Sequence, residues 1–519
     1  MSDTAEKNKV REVFLNGEEL TLAQVWEVAE KFSIVRLAPG SLERVLRSRK
    51  QVEGILANNE IIYGITTGFG QFKDRRIPTE DVKKLQRNLI LSHAAAVGAP
   101  FPVSVTRAIM LLRANALAKG FSGIRPETLQ LLIDCLNKKV HPILPSQGSV
   151  GSSGDLAILA HLALVLIGEG QAEFEGKKYQ GREALEKAFL SPVELEAKEG
   201  LALINGTQAQ TALGCLVMQK ANNLAKVADI ACAMSLEALK GTSSAYRPEL
   251  HALRPHPGQI KSAANLLKLL DKSEILDSHR DCGMVQDAYS LRCAPQVHGA
   301  SRDCFEYVEK VLKTEINSAT DNPLLFFETG EVINGGHFHG QPVAIAMDFA
   351  GIGLSELASI SERRTERLVN PNYSNGLPAF LTPQGGLNSG YMIAQYTAAS
   401  LVSENKSLAH PASVDSIPTS AGQEDHVSMG TTAARQAYSI VENVEKVLAI
   451  EILCAAQALD FRKPLSPGLG ALYAHECLRE TVAFLEEDRV TSLDIELALE
   501  WIRSGKLVER IEKTIGCLD

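Results

Sequence analysis

Apolar residues recur at three- and four-residue spacing through four stretches that are nearly free of proline: 207–240, 341–369, 391–409 and 428–460. This spacing predicts helices. At ~1.5 Å per residue a helix through 207–240 is about 50 Å long, more than one small domain covers, which predicts a bundle extending across subunits. Within it Leu213, Val217, Ala221, Leu224, Ala228 and Ala231 share one apolar face, and Gln219, Asn222 and Lys226 fall on the opposite, solvated side. The segment Arg363 to Arg367 (RRTER) closes another of these helices and reads as a solvated last turn whose cations suit the helix dipole.

Between the helices lie turn-rich segments: YGITTGFG (63–70), GSVGSSGD (148–155), INGTQ (204–208), QDAYSLRC (286–293), ATDNP (319–323), INGGHFHGQP (333–342) and TSAGQEDHVSMG (419–430). Loops of this kind are where chemistry concentrates. No low-complexity linker or internal repeat breaks the chain. The expected division is a mixed N-terminal part over 1–200 that carries the active-site loop, a central long-helix bundle over 201–460, and a helical tail over 461–519.

With 45% apolar residues and a net charge of −9, the composition is that of a soluble globular protein. There is no basic run, and 16 Phe, 10 Tyr and 2 Trp in 519 residues form no stacking platform, so nucleic acid is not expected as a partner. The first residues lack a secretory apolar core, and the apolar run Leu156 to Ile167 is interrupted by His161 and too short to span a bilayer. A cytoplasmic protein without a membrane partner is the expectation. Nine cysteines, irregularly spaced and without CxxC, suggest neither a disulfide framework nor a zinc site.

GSVGSSGD precedes an apolar helix and admits three readings. Ser153 or Asp155 caps that helix; the glycines form an anion nest; or the backbone itself reacts. In the third, the amide nitrogen of Gly154 attacks the carbonyl carbon of Ser152, and loss of water from Ser153 leaves a methylidene group. Glycine suits the attacking position because it has no Cβ. Tyr63 stands at the mouth of a glycine-rich loop, although a phenol with a pKa near ~10 needs help to act as a base. Gln286, Tyr289 and Arg292 share one face if their segment is helical, and an arginine fork matches a carboxylate. His337 and His339 lack a patterned third ligand and read as a loop pair with backbone partners rather than a metal site. Glu424, Asp425 and His426 read as helix N-terminal acids or as a polar clamp, and Asp321, Asn322 and Pro323 as an Asx turn.

Taken together, YGITTGFG, LSHAAAVGAP, FSGIRP, GSVGSSGDL, KEGLALINGTQ, QDAYSLRC, ATDNPL, FHGQP and QEDHVSMG resemble, in order, the aromatic amino acid lyases that carry a methylidene-imidazolone (MIO) group. The resemblance covers most of the chain from about Tyr63. It implies a mainly α, long-helix bundle with a smaller mixed N-terminal part, of fumarase/aspartase-like architecture, assembled as a homotetramer with shared active sites. It also implies an MIO ring formed autocatalytically from Ser152, Ser153 and Gly154, with no metal or dissociable cofactor. By the same resemblance Tyr63 removes the β-proton, Asn205 and Arg292 hold the substrate carboxylate, and Tyr289, Gln286 and Phe338 support the ring or its surroundings. Ser152 departs from the family's usual alanine, His337 from an asparagine, and Gly422 from another.

Ser92-His93 stands where phenylalanine-selective relatives have Phe-Leu, and Glu424 where those relatives have glutamine. A phenyl ring has no use for a carboxylate, whose burial costs desolvation, whereas an imidazole can donate to Glu424 and exchange a hydrogen bond with His93. The reaction this implies is elimination of ammonia from L-histidine to trans-urocanate, the first step of histidine degradation. The alternatives are a tyrosine or phenylalanine ammonia-lyase or an aminomutase using the same group, and, more remotely, a non-catalytic relative.

Overall fold

The computed structural model describes residues 12–519 apart from Ser152 and Cys282. The protein is mainly α. The four stretches with helical spacing form the helices Gln208–Ala238, Gln341–Val369, Met392–Leu408 and Gly430–Asp460. A further long helix, Ala294–Glu315, buries Phe305, Val308 and Leu312. Its start is rich in polar residues and glycine, which masks the periodicity in the sequence. The strands are short, such as the parallel pair Glu12–Leu15 with Ile34–Leu37 and the antiparallel pair Gln171–Phe174 with Lys177–Gln180.

The chain divides into two compact units, neither continuous in sequence. One comprises the residues up to Leu216 with Glu309–Met347 and Pro411–Arg435; the other comprises Val217–Val308, Asp348–His410 and Gln436–Asp519. All but one of these boundaries fall inside long helices, the exception being the one between His410 and Pro411, and they differ from the linear division at 200 and 460.

In the first unit, the helix Val103–Ala118 is buried over nearly its whole length, including Arg107 and Arg113. Such cations need acceptors. Arg107 donates to the carbonyls of Val28 and Leu136, each at 2.9 Å, and Arg113 donates to the carbonyl of Asn205 at 2.6 Å.

The second unit corrects the reading of RRTER as a solvated turn. Arg364 and Thr365 are fully buried, and the Arg364 guanidinium meets both oxygens of Glu451 at 2.5 and 2.8 Å. A buried arginine is tolerable because its partner is a buried carboxylate, which Ser235 also contacts at 2.7 Å. Along the helix Gln208–Ala238, Gln219 and Asn222 are exposed as expected, but further on Asp229 and Glu237 are buried. Asp229 accepts from Ser262, Asn265 and Arg302 and pairs with Nδ1 of His298 at 2.7 Å.

Candidate active site

Residues 149–151 and 153–155 lead into the helix Leu156–Leu166. Ser153 adopts φ 50° between Gly151 at 70° and Gly154 at 72°, a left-handed region costly for a serine. What holds it there is contact with distant segments. The Asp155 amide donates to the carbonyl of Gly206 at 2.7 Å, and a Cβ on residue 154 would fall on that carbonyl oxygen, so only glycine fits.

The Asp155 side chain does not cap its own helix. Its Oδ2 accepts from the amides of Ala209 and Gln210 at 2.8 and 3.0 Å, capping the helix Gln208–Ala238 instead, and its Oδ1 accepts from Ser149 and Thr431. Burial pushes this carboxyl up while those four donors pull it down, with a net rise.

Tyr63, His93, Ser153, Asn205, Phe338 and Glu424 line one cavity of about 1250 Å³ in the first unit. Tyr63 follows the helix Pro39–Ala57 in a loop closed by the bond from the Ile62 amide to the Thr66 hydroxyl at 2.9 Å. Its ring meets Phe69 edge-on, and its hydroxyl accepts from the amide of Gly70 at 3.4 Å. Burial, reinforced by the negative charge of Glu424, raises the Tyr63 pKa although the Gly70 bond opposes it. His93 ends the helix Val82–His93, with Nδ1 3.0 Å from the Ser92 hydroxyl. Burial lowers its pKa despite Glu424, so the imidazole is neutral near pH 7 and can either donate or accept.

Glu424 accepts from the Ser153 hydroxyl at 3.4 Å through one oxygen and from the Thr419 hydroxyl at 3.1 Å through the other. Asn205 ends the short helix Glu199–Ile204 in an extended conformation. Its Nδ2 donates to Asp321 Oδ1 and to the Asn322 carbonyl, both at 3.2 Å, while Oδ1 is buried with no partner among the described residues.

Gln286, Tyr289 and Arg292 are not part of this lining; they belong to the second unit. The helical turn there spans only Tyr289–Arg292, so Gln286 does not share its face. Tyr289 is 71% exposed, and the Arg292 guanidinium lies 4.4 Å from its ring centroid. Ser152 lies outside the described residues. His339 finds backbone partners, the Gln341 amide and the His426 carbonyl, at 3.3 and 3.2 Å.

Sequence reading missed Lys198 and the larger role of Asp321. The expected Asx turn does not form, because Pro323 has no N–H to bond the Asp321 side chain; instead the Asn322 amide donates to Asp321 Oδ1 at 2.7 Å, and Oδ2 of the same carboxylate takes the fully buried Lys198 ammonium at 2.6 Å. Burial lowers the Lys198 pKa and Asp321 opposes that fall. A lysine opening the apolar run KEGLALI was the available signal.

The chain belongs to the aromatic amino acid lyase family, whose model matches residues 20–480. A histidine ammonia-lyase from Gloeobacter violaceus is 61% identical over 505 residues, covering 97% of this chain and 98% of its own. Among solved structures, a histidine ammonia-lyase from Trypanosoma cruzi superposes with a TM-score of 0.90 at 44% identity, covering 97% of this chain and 95% of that one. A tyrosine aminomutase from Streptomyces globisporus does so with a TM-score of 0.91 at 40% identity, covering 97% and 98%.

Ring formation between residues 152 and 154 needs a tight turn, a glycine at the third position and a hydroxyl at the second. The left-handed backbone at Ser153 and Gly154, wedged against Gly206, fits those needs.

Proposed function

We propose that the protein is an ammonia-lyase that eliminates ammonia from L-histidine to give trans-urocanate, in the cytoplasm, as the first step of histidine degradation. The observation that carries this reading is that His93 and Glu424 share one cavity wall with Tyr63 and Ser153. Two hydrogen-bonding groups there match the two nitrogens of an imidazole, and a phenyl or phenol ring would leave one of them unpaired.

An MIO ring from Ser152, Ser153 and Gly154 supplies an electrophilic carbon that no ordinary side chain offers. Dehydration of Ser153 would remove the hydroxyl that donates to Glu424, and the substrate imidazole would donate to that carboxylate in its place. Tyr63 takes the β-proton. Its raised pKa means the phenol gives up its own proton only beside a positive charge, which the bound substrate or Arg292 brings.

The fork of Arg292 holds the carboxylate, with Tyr289 and Gln286 beside it, delivered by another copy of the chain in a homotetramer. Supporting this assembly, Phe349 and Ile352, and likewise Ile393 and Tyr396, leave large apolar side chains exposed on helices of the second unit. The helix Gln341–Val369 is long and apolar enough to cross a membrane, but 61% of its most apolar stretch is buried inside the protein, which favours subunits rather than lipid as its cover.

The test is an ultraviolet assay of L-histidine, L-tyrosine and L-phenylalanine in parallel, with Ser153→Ala as control and a search for β-amino products. Urocanate from histidine alone, lost in the control, supports the reading. Cinnamate or coumarate instead overturns the substrate and points to a phenylalanine or tyrosine ammonia-lyase, whereas a β-amino acid points to an aminomutase.

A further inference from the structure

His279 stands between two acceptors. Its Nδ1 lies 2.6 Å from the carbonyl oxygen of Ile275 and its Nε2 lies 2.9 Å from that of Gly241. A backbone carbonyl only accepts, and a neutral imidazole carries a single N–H. Both contacts are hydrogen bonds only when the ring carries both protons; in the neutral ring one nitrogen lone pair faces an oxygen lone pair. The half-buried ring is thus a two-sided clamp in its charged form and a one-sided one in its neutral form.

The clamp frames residues 283–288. Gly241 follows the helix Gln208–Ala238, its amide donating back to the carbonyl of Leu236 at 2.8 Å, and the next amide, that of Thr242, donates to Asp287 Oδ2 at 2.7 Å. The Asp287 carbonyl accepts from Arg292 Nε at 3.1 Å, which leaves the two terminal nitrogens of the guanidinium to meet a carboxylate. Residues 283–286 make no backbone–backbone hydrogen bond among the described residues, so their course is set by what holds His279 before them and Asp287 after them. All of these residues belong to the second unit.

Asp287 is the acid that meets the imidazole. Burial pushes its carboxyl up, and the Thr242 amide with the positive charges of His279, Arg367 and Arg292 opposes that push, leaving a net rise. On the turn that carries His279, Asp277 pairs with Arg280 at 2.6 Å. The remaining charged groups of the same cavity, of about 730 Å³, are Lys240, Arg247, Asp271 and Lys272.

We infer that protonated His279 is a positioning residue for Arg292, acting through Gly241, Thr242 and Asp287. This rests on the proposed role of Arg292 in holding the substrate carboxylate. Histidine changes charge between about pH 5 and 8. The frame of Arg292 is therefore firm while the ring is charged and loosens as pH rises and one of the two bonds is lost.

The clamp is tested without substrate, by hydrogen–deuterium exchange of the full-length enzyme read on peptides covering 283–292. Each variant is compared with wild type at the same pH, so that intrinsic exchange rates cancel. Glutamine has one donor nitrogen and no charge, whereas arginine presents several donors and stays charged. His279→Gln is expected to exchange roughly tenfold faster than wild type near about pH 6, as loss of one bond implies, and within about twofold of it near about pH 8.5. His279→Arg should match wild type at the lower pH and exchange more slowly than wild type at the higher one. An equal excess at both pH values in His279→Gln makes the residue an ordinary packing group and overturns the charged clamp, as does no excess at either.

The link to Arg292 is read from KM. The ratio of KM for L-histidine in His279→Gln to that in wild type should be several-fold at the lower pH and close to one at the higher, with kcat less affected, because a carboxylate is held before and during the reaction alike. Exchange that follows the expectation with a KM ratio that ignores pH overturns the positioning of Arg292. Exchange that follows it in an enzyme that never turns over L-histidine upholds the clamp and refutes the proposed substrate instead.

Discussion

Tyr246, itself fully buried, donates its hydroxyl to the carbonyl of Leu291 at 2.9 Å. Leu291 lies in the turn Tyr289–Arg292, whose Ser290 carbonyl also accepts from Arg364 at 3.4 Å. The exposed side chains of this turn are thus anchored from beneath through its backbone. Tyr246→Phe removes a donor from this carbonyl, which the Cys293 amide also approaches, without changing the ring, so it should cost about 1 kcal/mol of stability. The expected kinetic effect is a several-fold lower kcat/KM for L-histidine with the fold intact by circular dichroism. Unchanged kinetics would show that the turn needs no such anchor.

Glu424→Gln keeps the size of the side chain and removes its charge. Turnover of L-histidine should fall at least about tenfold while the melting temperature changes little, because the lost interaction is with the ligand. A second effect has a definite sign. The negative charge of Glu424 adds to burial in raising the Tyr63 pKa, so removing it lowers that pKa. If Tyr63 is the base, the rising limb of kcat/KM with pH should move to lower pH in the variant.

Gly154→Ala places a methyl group on the carbonyl oxygen of Gly206 and demands a left-handed backbone of an alanine. That neighbour is backbone, not a flexible side chain that can move aside. The variant should lose more than about 1 kcal/mol of stability and show no loss of water from Ser153 by intact mass. Ser152→Ala, by contrast, should dehydrate normally, since the side chain of the first residue takes no part in closure.

Acid should weaken the second unit through Asp229. Burial would raise this carboxyl, but Arg302 and His298 outweigh it and hold it below the usual range. A carboxyl with a depressed folded pKa contributes stability above its unfolded value of roughly 4, and that contribution is lost as pH falls. The urea midpoint should therefore drop steeply below about pH 4, and less steeply in Asp229→Asn.

The long helices are legible in the sequence because a periodic apolar face is a local signal, and the boundaries of Gln341–Val369 follow it to the residue. Five of the six residues around the cavity are legible for another reason: each lies in a turn or loop whose residue types are unusual together, whereas His93 ends a helix. Pairings over long separations are not. Arg364 looks solvated until Glu451, 87 residues on, is seen beside it. Asp155 looks like the cap of the helix it precedes, and only the fold reveals that it caps one starting more than fifty residues later. The contact of Asn205 with Asp321, 116 residues away, is hidden in the same way. Tyr289 and Arg292 show a further limit, since their sequence pattern does not reveal that they lie outside the lining that Tyr63 and Ser153 share.

The turn at Ser153 borrows its frame from residues made at very different times. Ser149 and Asp155 leave the ribosome early, yet Thr431, which bonds both, follows Asp155 by 276 residues. Until that late segment arrives, the turn lacks one of its clamps. Under the proposed ring formation, closure would wait for Thr431, and a nascent chain would not expose an electrophile to the thiols and amines around it before there is a pocket to enclose it.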